Sequence, residues 1–323
     1  MTTRSAESGF ASGSGQRPPV LVTGRQYELT AGDYRAVVTG LGAGLRELSY
    51  DGEPVVYGYP PDELPPGAAG QLLAPWPNRV DHGQYEFQGA SYQLDLSEPK
   101  NSNAIHGLTR WAAWEPVRHE ADRVLLTHLP HGYSGYPFPV ELDAEYRLTV
   151  TGGLQVTVSA ANRGHRPAPY GTGQHPYFTA GPAPLGEWEL ELPAARWLPA
   201  DARGIPSGPA QDIDGTPCDF REPHLIGDAV LDHALTGLTR AGDGRVWAHL
   251  RSAGRQVSMW AGAGYGWLQV FTSDTLHGER HRKAVAIEPM TCPPNAFVSG
   301  DDLIVLAPGE SVSHTWGVQA RRA

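Results

Sequence analysis

Apolar and polar residues alternate with a period of two along the segment VELDAEYRLTVTGGLQVTVSAAN, residues 140 to 162. Such alternation places successive side chains on opposite faces of an extended strand, so that one face can be buried while the other meets water. The apolar positions are Leu142, Ala144, Tyr146, Leu148 and Val150 in the first half and Leu154, Val156, Val158 and Ala160 in the second. Gly152 and Gly153 lie between the halves, and the whole segment predicts a β-hairpin with a tight two-residue turn.

Shorter alternating runs follow one another along the rest of the chain and are separated by Gly, Pro and Asp turns. They are QYEFQGASYQLDL, DRVLLTHL, EWELEL, RVWAHLRSAGRQVSMWAG, GWLQVFT and SVSHTWGVQ. No segment shows sustained helical periodicity. Strands without interleaved helices predict an all-β fold, a large antiparallel β-sandwich or barrel. No shift in composition divides the chain, so we expect a single domain over residues 19–323, preceded by a disordered polar tail over residues 1–18.

The composition is that of a soluble globular protein and excludes several classes of partner. The 323 residues carry a formal net charge of −10, which is opposite to the basic footprint of a nucleic-acid-binding protein. Two cysteines are too few for a disulfide framework or a thiolate metal cluster. The N-terminal residues lack the apolar core of a signal peptide, and no apolar run is long enough to span a membrane. We therefore expect a cytoplasmic protein that binds neither nucleic acid nor membrane.

Two short segments each place a proton-transfer residue directly before a proline. His175 precedes Pro176 in YGTGQHPYF, and Glu288 precedes Pro289 in AIEPMTCPPNAF. A residue before proline is held in extended backbone, so its side chain leaves the chain in a defined direction. Glu288 follows the apolar residues VAI, and we expect it to be at least partly buried. Taken singly, each residue is better explained by a structural role, as a buried hydrogen-bonded His or as a Glu paired with an Arg.

Two further segments, PWPNRV and NAIHGLTRW, place a polar group beside turn-forming residues. They add an Arg and a second His to the set, and all four groups lie at strand ends or loops, where the sites of rigid β scaffolds are usually found. The basic segment HGERHRK reads as a solvated loop. Its Arg280, Arg282 or Lys283 lies shortly before Glu288 and could contact an anionic group on a substrate.

Eight segments, in this order, resemble the aldose 1-epimerase (galactose mutarotase) family: GAGLRELSYDG, LLAPWPNRV with GQYEFQG, NAIHGL, GTGQHPYF, LDHAL, WLQVFT, AIEPMTCPPNAF and LAPGES. The resemblance runs from about Val20 to the C-terminus. It implies a galactose-mutarotase-like β-sandwich with a sugar site on one concave face. The forms APWPNRV and EPMTCPPNAF are most similar to a bacterial branch that includes sulfoquinovose mutarotase-like proteins, so galactose is not assured as the substrate.

The resemblance implies an aldose 1-epimerase that interconverts the α- and β-anomers of a hexopyranose, with a monosaccharide as its partner and no cofactor or metal. A base removes the proton of the C1 hydroxyl while an acid protonates the ring oxygen, and one His and one carboxylate suffice. His175 is the expected general acid, its pKa raised by a neighbouring carboxylate, and Glu288 is the expected general base, kept ionised by nearby cations. The residues expected to hold or line the sugar are Arg79, His106, Asp232, Gln269, Asn78, Trp76 and Tyr177.

Two other functions remain open at this stage. One is a non-catalytic sugar-binding or sensing protein of the same fold, since a fold does not determine a function. The other is a cupin-like metal enzyme, which would need two or three His residues and a carboxylate at metal-ligand spacing. His175 and Glu288 lie far apart in sequence, and no second His is near either, which argues against the metal enzyme. The identity of the sugar and the oligomeric state stay undetermined.

Overall fold

The computed structural model of the protein describes residues 20–322. The predicted polar tail, residues 1–18, lies outside the described residues. The described part contains 27 strands. They are β1 (Gln26–Ala31), β2 (Tyr34–Thr39), β3 (Leu45–Tyr50), β4 (Glu53–Pro54), β5 (Leu72–Leu73), β6 (Arg79–Asp81), β7 (Gln84–Phe87), β8 (Ala90–Gln93), β9 (Asn103–Ile105), β10 (Glu115–His119), β11 (Arg123–His128), β12 (Val140–Thr149), β13 (Gly153–Asn162), β14 (Ala168–Tyr170), β15 (Gly173–Gln174), β16 (Tyr177–Phe178), β17 (Glu189–Glu191), β18 (Ala194–Leu198), β19 (Gln211–Asp212), β20 (His224–Leu225), β21 (Asp232–Leu238), β22 (Val246–Ser252), β23 (Arg255–Ala261), β24 (Trp267–Phe271), β25 (Val285–Met290), β26 (Ile304–Leu306) and β27 (Ser311–Arg322).

Helical structure in the described residues is limited to short turns. One α-helical turn spans Ala296–Ser299, and 3₁₀ turns span Pro66–Ala68, Pro99–Asn101, Thr109–Trp111, Leu185–Glu187 and Gly278–Arg280. No helix of residues 20–322 is both long and apolar enough to cross a membrane.

Two large antiparallel sheets form the sandwich. The nine-stranded sheet has the order β10-β11-β12-β13-β27-β23-β22-β17-β20. The eight-stranded sheet has the order β19-β18-β21-β24-β25-β15-β5, and β16 also pairs with β25. A four-stranded sheet, β1 to β4, precedes them in sequence. One continuous hydrophobic cluster includes buried residues of both large sheets, so the prediction of a single-domain, all-β, antiparallel sandwich is confirmed.

The predicted hairpin is present as β12 and β13, with one difference at its turn. The apolar positions from Leu142 to Leu148 and from Leu154 to Ala160 are buried, as the alternation predicts. The last strand pair is Thr149 with Gly153, so three residues rather than two form the turn. Val150 lies in this turn and is 66% exposed, because the strand that would have buried it has already ended.

A buried amide joins the two large sheets directly behind the segment that carries His175. The Gln174 side chain donates to the carbonyl of Gly70 (3.0 Å) and to the hydroxyl of Tyr146 on β12 (2.6 Å). Its oxygen accepts a hydrogen bond from the indole of Trp316 on β27 (2.9 Å). Every donor and acceptor of this amide is therefore used, and a fully satisfied polar network in a core rigidifies what it joins. The strand that precedes His175 is fixed to the opposite sheet.

Gly107 lets the segment after β9 lie directly against the chain at Ala74. Gly107 has φ +68°, and a Cβ at this position would stand 2.0 Å from the Ala74 carbonyl oxygen. The two residues form an isolated parallel bridge, and the amide of Leu108 donates to the same carbonyl (2.8 Å). Glycine is required here for both its left-handed backbone and its lack of a side chain. This contact sets the position of the neighbouring His106.

We expect Gly107→Ala to destabilise the protein by about 2–4 kcal/mol, because left-handed strain adds to a clash with backbone that cannot move aside. Gly132→Ala is the matched control, since Gly132 has φ +78° but no atom within 4 Å of its would-be Cβ. The control should lose only about 1 kcal/mol. Denaturant unfolding measures both losses, and equal losses would show that the contact with Ala74 is not tight.

Candidate active site

The register of β25 places Glu288 directly across from His175. Gly173 pairs with Met290, and Tyr177 pairs with Ala286, so the residues midway between these pairs face each other. His175 Nε2 lies 3.2 Å from Glu288 Oε1. Both residues are almost completely buried: His175 is 5% exposed and Glu288 is 1% exposed. Two residues that are 113 positions apart in sequence thus form one contact.

Gln269 and Asp232 extend this row of polar groups across the next two strands. Gln269 on β24 pairs with Glu288, and Ala234 on β21 pairs with Gln269. Asp232 is two residues before Ala234 and therefore points to the same face of the sheet. The Gln269 amide donates to Asp232 Oδ1 at 2.6 Å. The opposite face of these strands contributes Leu268, Val270 and Ile287 to the main core.

His106 approaches the row from the loop between β9 and the turn Thr109–Trp111. Its ring lies edge-on to the ring of His175, with centroids 5.4 Å apart. The His106 amide donates to the carbonyl of Asn78 (2.8 Å), and both residues have positive φ, +63° and +53°. The Asn78 side chain accepts a hydrogen bond from the amide of Arg79 (2.9 Å), which orders the start of β6. Asn78 therefore positions the backbone of both His106 and Arg79.

Arg79 is neutralised by a carboxylate that sequence analysis missed. Its Nε and Nη2 donate to the two oxygens of Glu98 at 2.8 and 2.9 Å, a bidentate pair. Burial opposes the charge of Arg79, but the hydrogen bonds with Glu98 raise its pKa. Within the described residues, Nη1 of Arg79 makes no hydrogen bond, so both N–H donors of this nitrogen are left for a ligand.

Arg110 has no such carboxylate and was also missed. Arg110 follows His106 by four residues in the sequence and lines the same cleft. Its Nε is buried without a hydrogen-bond partner within the described residues. No carboxylate of residues 20–322 lies within 4.0 Å of its guanidinium. Burial lowers its pKa. The guanidinium lies over the ring of Trp111, 5.1 Å from its centroid, and Trp111 is half exposed at the rim. Both residues belong to the quoted motif NAIHGLTRW, so the signal was present in the sequence.

These side chains surround one cleft of about 360 Å³, and eight of the nine predicted site residues line it. The eight are Arg79, His106, Asp232, Gln269, Asn78, Tyr177, His175 and Glu288. Sequence analysis missed the rest of the lining: Pro65, Gly67, Ala68, Ser97, Glu98, Ile105, Arg110, Trp111, Phe271, Thr275 and Leu276. Most of these residues lie in loops without a motif that would mark them.

Trp76 does not line the cleft, and its prediction as a sugar-contacting residue is wrong. It is buried in the main core and packs against Phe297, with ring centroids 5.5 Å apart. In the segment APWPNRV, the side chain turns inward because the neighbouring Asn78 and Arg79 occupy the side that faces the cleft.

The basic segment before Glu288 does not reach the cleft either. Arg280 pairs with Glu63 at 2.7 Å, and Arg282 pairs with Asp274 at 2.7 Å. Neither arginine nor Lys283 is among the lining residues. The expectation that this segment supplies a contact to an anionic substrate is therefore wrong. Arg110 is the cation of the cleft that has no ion-pair partner within the described residues, although the nearby charge of Glu98 opposes the lowering of its pKa.

Five lining side chains carry buried polar atoms that have no hydrogen-bond partner within the described residues. They are Nδ1 of His106, Nδ1 of His175, Nε of Arg110, Oε1 of Gln269 and Oε2 of Glu288. A buried unpaired polar atom costs about 1–3 kcal/mol, so each one calls for an explanation. Their concentration around one cleft indicates that a polar ligand completes them.

Burial sets the protonation of the central pair. It lowers the pKa of His175 to about 3, and Arg110 and Arg79 lower it further. Burial also raises the pKa of Glu288 well above its ordinary value, Asp232 adds to this effect, and Arg79 opposes it. The expectation of a raised His175 pKa and an ionised Glu288 is wrong, because the loss of hydration outweighs the neighbouring charges. The pair carries no net charge and has one acidic proton to share.

A pair of this kind can donate a proton at one atom and accept a proton at a neighbouring atom. The cleft is lined mainly by hydrogen-bonding groups, with Tyr177 and Phe271 as its aromatic walls. Among residues 20–322, no group of three or more His, Cys, Asp or Glu side chains is arranged to hold a metal ion.

A family model described as aldose 1-epimerase matches residues 25–319. The uncharacterized protein YihR of Escherichia coli K12 is 36% identical over 290 residues, 89% of this chain and 91% of that protein. The aldose 1-epimerase of the same organism is 27% identical over 235 residues, 66% of this chain and 65% of that enzyme.

Two solved structures share the fold. The GalM/aldose epimerase homologue of C. elegans has a TM-score of 0.83 and 20% identity, covering 93% of this chain and 99% of that one. The galactose 1-epimerase of Lactobacillus acidophilus NCFM has a TM-score of 0.77 and 23% identity, covering 91% and 93%. With the family match over nearly the full chain, these findings show a sugar-processing, isomerase-type enzyme that belongs to the aldose 1-epimerase family.

Proposed function

We propose that this chain is a hexopyranose mutarotase in which His175 is the general acid and Glu288 is the general base. The observation that carries the proposal is the 3.2 Å contact between His175 Nε2 and Glu288 Oε1, with Oε2 of the same carboxyl free of any partner in the described residues. Geometry comes before pKa in choosing an acid–base pair, and here both groups lie at one point of a polar cleft.

The reaction opens and recloses the hemiacetal. Glu288 accepts the proton of the C1 hydroxyl, the electron pair of that O–H bond forms the aldehyde C=O, and the C1–O5 bond breaks. The electron pair of the broken bond takes the proton that His175 donates to the ring oxygen. Rotation about C1–C2 presents the other face of the aldehyde, and the reverse proton transfers close the ring. Each proton that leaves one group is returned in the second half, so no cofactor is consumed.

The neutral pair is the protonation state that ring opening leaves behind. Before opening, the imidazolium and carboxylate form is needed, and after opening His175 is neutral while Glu288 is protonated. Both forms contain the same number of protons, so they interconvert by one transfer across the 3.2 Å contact. Burial favours the neutral form, as the pKa directions of both groups indicate. Hydrogen bonds from a bound sugar to the unpaired atoms would favour the ionised form.

The other lining groups supply the hydrogen bonds that hold the sugar. We assign His106 Nδ1 to the region of the ring oxygen, next to the His175 ring. The free Nη1 of Arg79, the Oε1 of Gln269 and the carboxylate of Asp232 are assigned to hydroxyls. Gln269 and Asp232 are already joined at 2.6 Å and would act as one unit.

The lack of an ion-pair partner for Arg110 favours a sugar with an anionic group at C6, such as a sulfonate or carboxylate. Glu98 neutralises Arg79 but lies outside ion-pair distance of Arg110, whose Nε is unpaired. His175 and Glu288 are the deeply buried end of the cleft, while Arg110 adjoins the half-exposed Trp111 at its rim. A sugar with C1 at the buried end would direct its C6 end toward the rim.

Glu288→Gln should lower anomer exchange by about 10²- to 10⁴-fold while sugar binding stays within a few-fold. Glutamine can still hydrogen-bond the C1 hydroxyl but cannot accept its proton. The thermal midpoint should not fall, because glutamine resembles the neutral carboxyl that burial favours. Exchange NMR of the two anomers, binding calorimetry and thermal unfolding measure the three quantities.

The control is Glu115→Gln, on an exposed residue of β10, which should change none of them. If Glu288 were half of a structural ion pair, the variant would lose about 3–5 kcal/mol of stability and the assignment would be wrong. A parent protein that binds sugar without accelerating exchange would instead identify a non-catalytic sugar-binding protein.

Arg110→Gln should reduce kcat/KM for a C6-sulfonated or C6-carboxylated hexose by roughly 10- to 100-fold, since a hydrogen bond to a charged group contributes about 1.5–3 kcal/mol. The parent should prefer the anionic sugar over the neutral hexose, and added salt should weaken this preference. Competition assays at two ionic strengths measure it.

Arg280→Gln is the matched control, because Arg280 is paired with Glu63 and does not line the cleft. It should leave the preference unchanged. A neutral hexose that binds as well as the anionic one in the parent would contradict the role of Arg110.

A further inference from the structure

Tyr177 stacks on the ring of His175 rather than standing free to receive a sugar. The two rings are 4.8 Å apart between centroids and inclined by only 16°. Tyr177 is 3% exposed, and its strand pairing with Ala286 fixes its backbone one residue beyond Pro176. The sequence predicts that this residue holds or lines the sugar. It does line the cleft, but one face of its ring is occupied by the proposed acid.

The hydroxyl of Tyr177 has a separate task at the wall of the cleft. It donates to the carbonyl of Gly67 at 3.0 Å. Gly67 has φ +56°, and a Cβ there would stand 2.7 Å from the Tyr177 oxygen and 3.0 Å from the Leu276 side chain. Gly67, Ala68 and Leu276 all line the cleft. The hydroxyl of Tyr177 therefore holds the cleft wall at Gly67 so close to the ring that a residue with a Cβ would not fit.

His175 has few means of stabilising a positive charge. Its Nδ1 has no partner in the described residues, and its Nε2 contacts Glu288. The titratable and charged groups around it, besides Tyr177, are Glu288, His106, Arg79 and Arg110. Both arginines disfavour an imidazolium, and neutral His106 supplies no negative charge. Besides the carboxylate of Glu288, the electron-rich face of Tyr177 is the group among these that attracts a cation.

We propose that Tyr177 is a positioning residue of the acid: its ring orients the His175 imidazole and stabilises the imidazolium, while its hydroxyl fixes the cleft wall at Gly67. This inference rests on the proposed function, since it concerns the acid of that reaction. The ring and the hydroxyl of Tyr177 have different roles in this proposal, and each can be removed without the other.

The test uses the full chain with Tyr177→Phe and Tyr177→Leu. Loss of the ring in the Leu variant should lower kcat by about 5- to 30-fold with KM within threefold, and should move the His175 limb of the pH–kcat profile to lower pH. The Phe variant keeps the ring and should keep kcat and the profile. Its lost hydroxyl should appear only as a change in KM of about two- to fivefold.

A series of fluorinated phenylalanines at position 177 covers the case in which the Leu variant does not fold. Fluorine preserves the shape of the ring and withdraws electrons from its face, so kcat should fall stepwise with fluorine number at constant thermal midpoint. A flat series, or a Leu variant with the parent's kcat and pH profile, overturns the proposal. Failure of the proposed function is distinct from this, because the parent itself would then not accelerate anomer exchange.

Discussion

The site depends on the contact between His175 Nε2 and Glu288 Oε1, and that contact depends on backbone register. β25 pairs with Gly173 on one side of His175 and with Tyr177 on the other, so a slip of one residue would turn Glu288 into the core. Gln174 anchors the same segment to the opposite sheet through two hydrogen bonds, to Tyr146 and from Trp316. A rigid sandwich is what allows a buried acid and a buried base to stay 3.2 Å apart.

The cleft combines a neutral pair at its base with polar atoms that the fold leaves unsatisfied. Such atoms destabilise the folded protein, and their number around one cleft makes sense when a polyhydroxylated ligand completes them. The two arginines of the cleft differ in whether a carboxylate pairs with them. Arg79 forms an ion pair with Glu98, whereas Arg110 has no ion-pair partner within the described residues. Catalytic chemistry and substrate selection are therefore assigned to different residues of one cleft.

The strand pattern could be predicted because alternation is a local signature in the sequence. The roles of His175, Glu288 and Gln269 were predicted from the family resemblance, because local sequence alone is equally compatible with structural roles. Arg110 lay inside a quoted motif, but nothing local shows that an arginine lacks a partner, which is a property of all the surrounding elements. Trp76 was misplaced because the direction of one side chain in a loop depends on packing with Phe297. The pKa directions of His175 and Glu288 also required the structure, since the degree of burial outweighs the neighbouring charges.

The central claim is that His175 and Glu288 act as one proton-sharing unit, and a double-mutant cycle on anomer exchange tests it most directly. The exchange rate at saturating sugar is measured by NMR for the parent, His175→Asn, Glu288→Gln and the double variant. Since removing either partner disables the unit, each single variant should lose about 10²- to 10⁴-fold, and the double variant should lose no more than the worse single variant. Losses that multiply in the double variant, or a His175→Asn variant within a few-fold of the parent, would contradict the account.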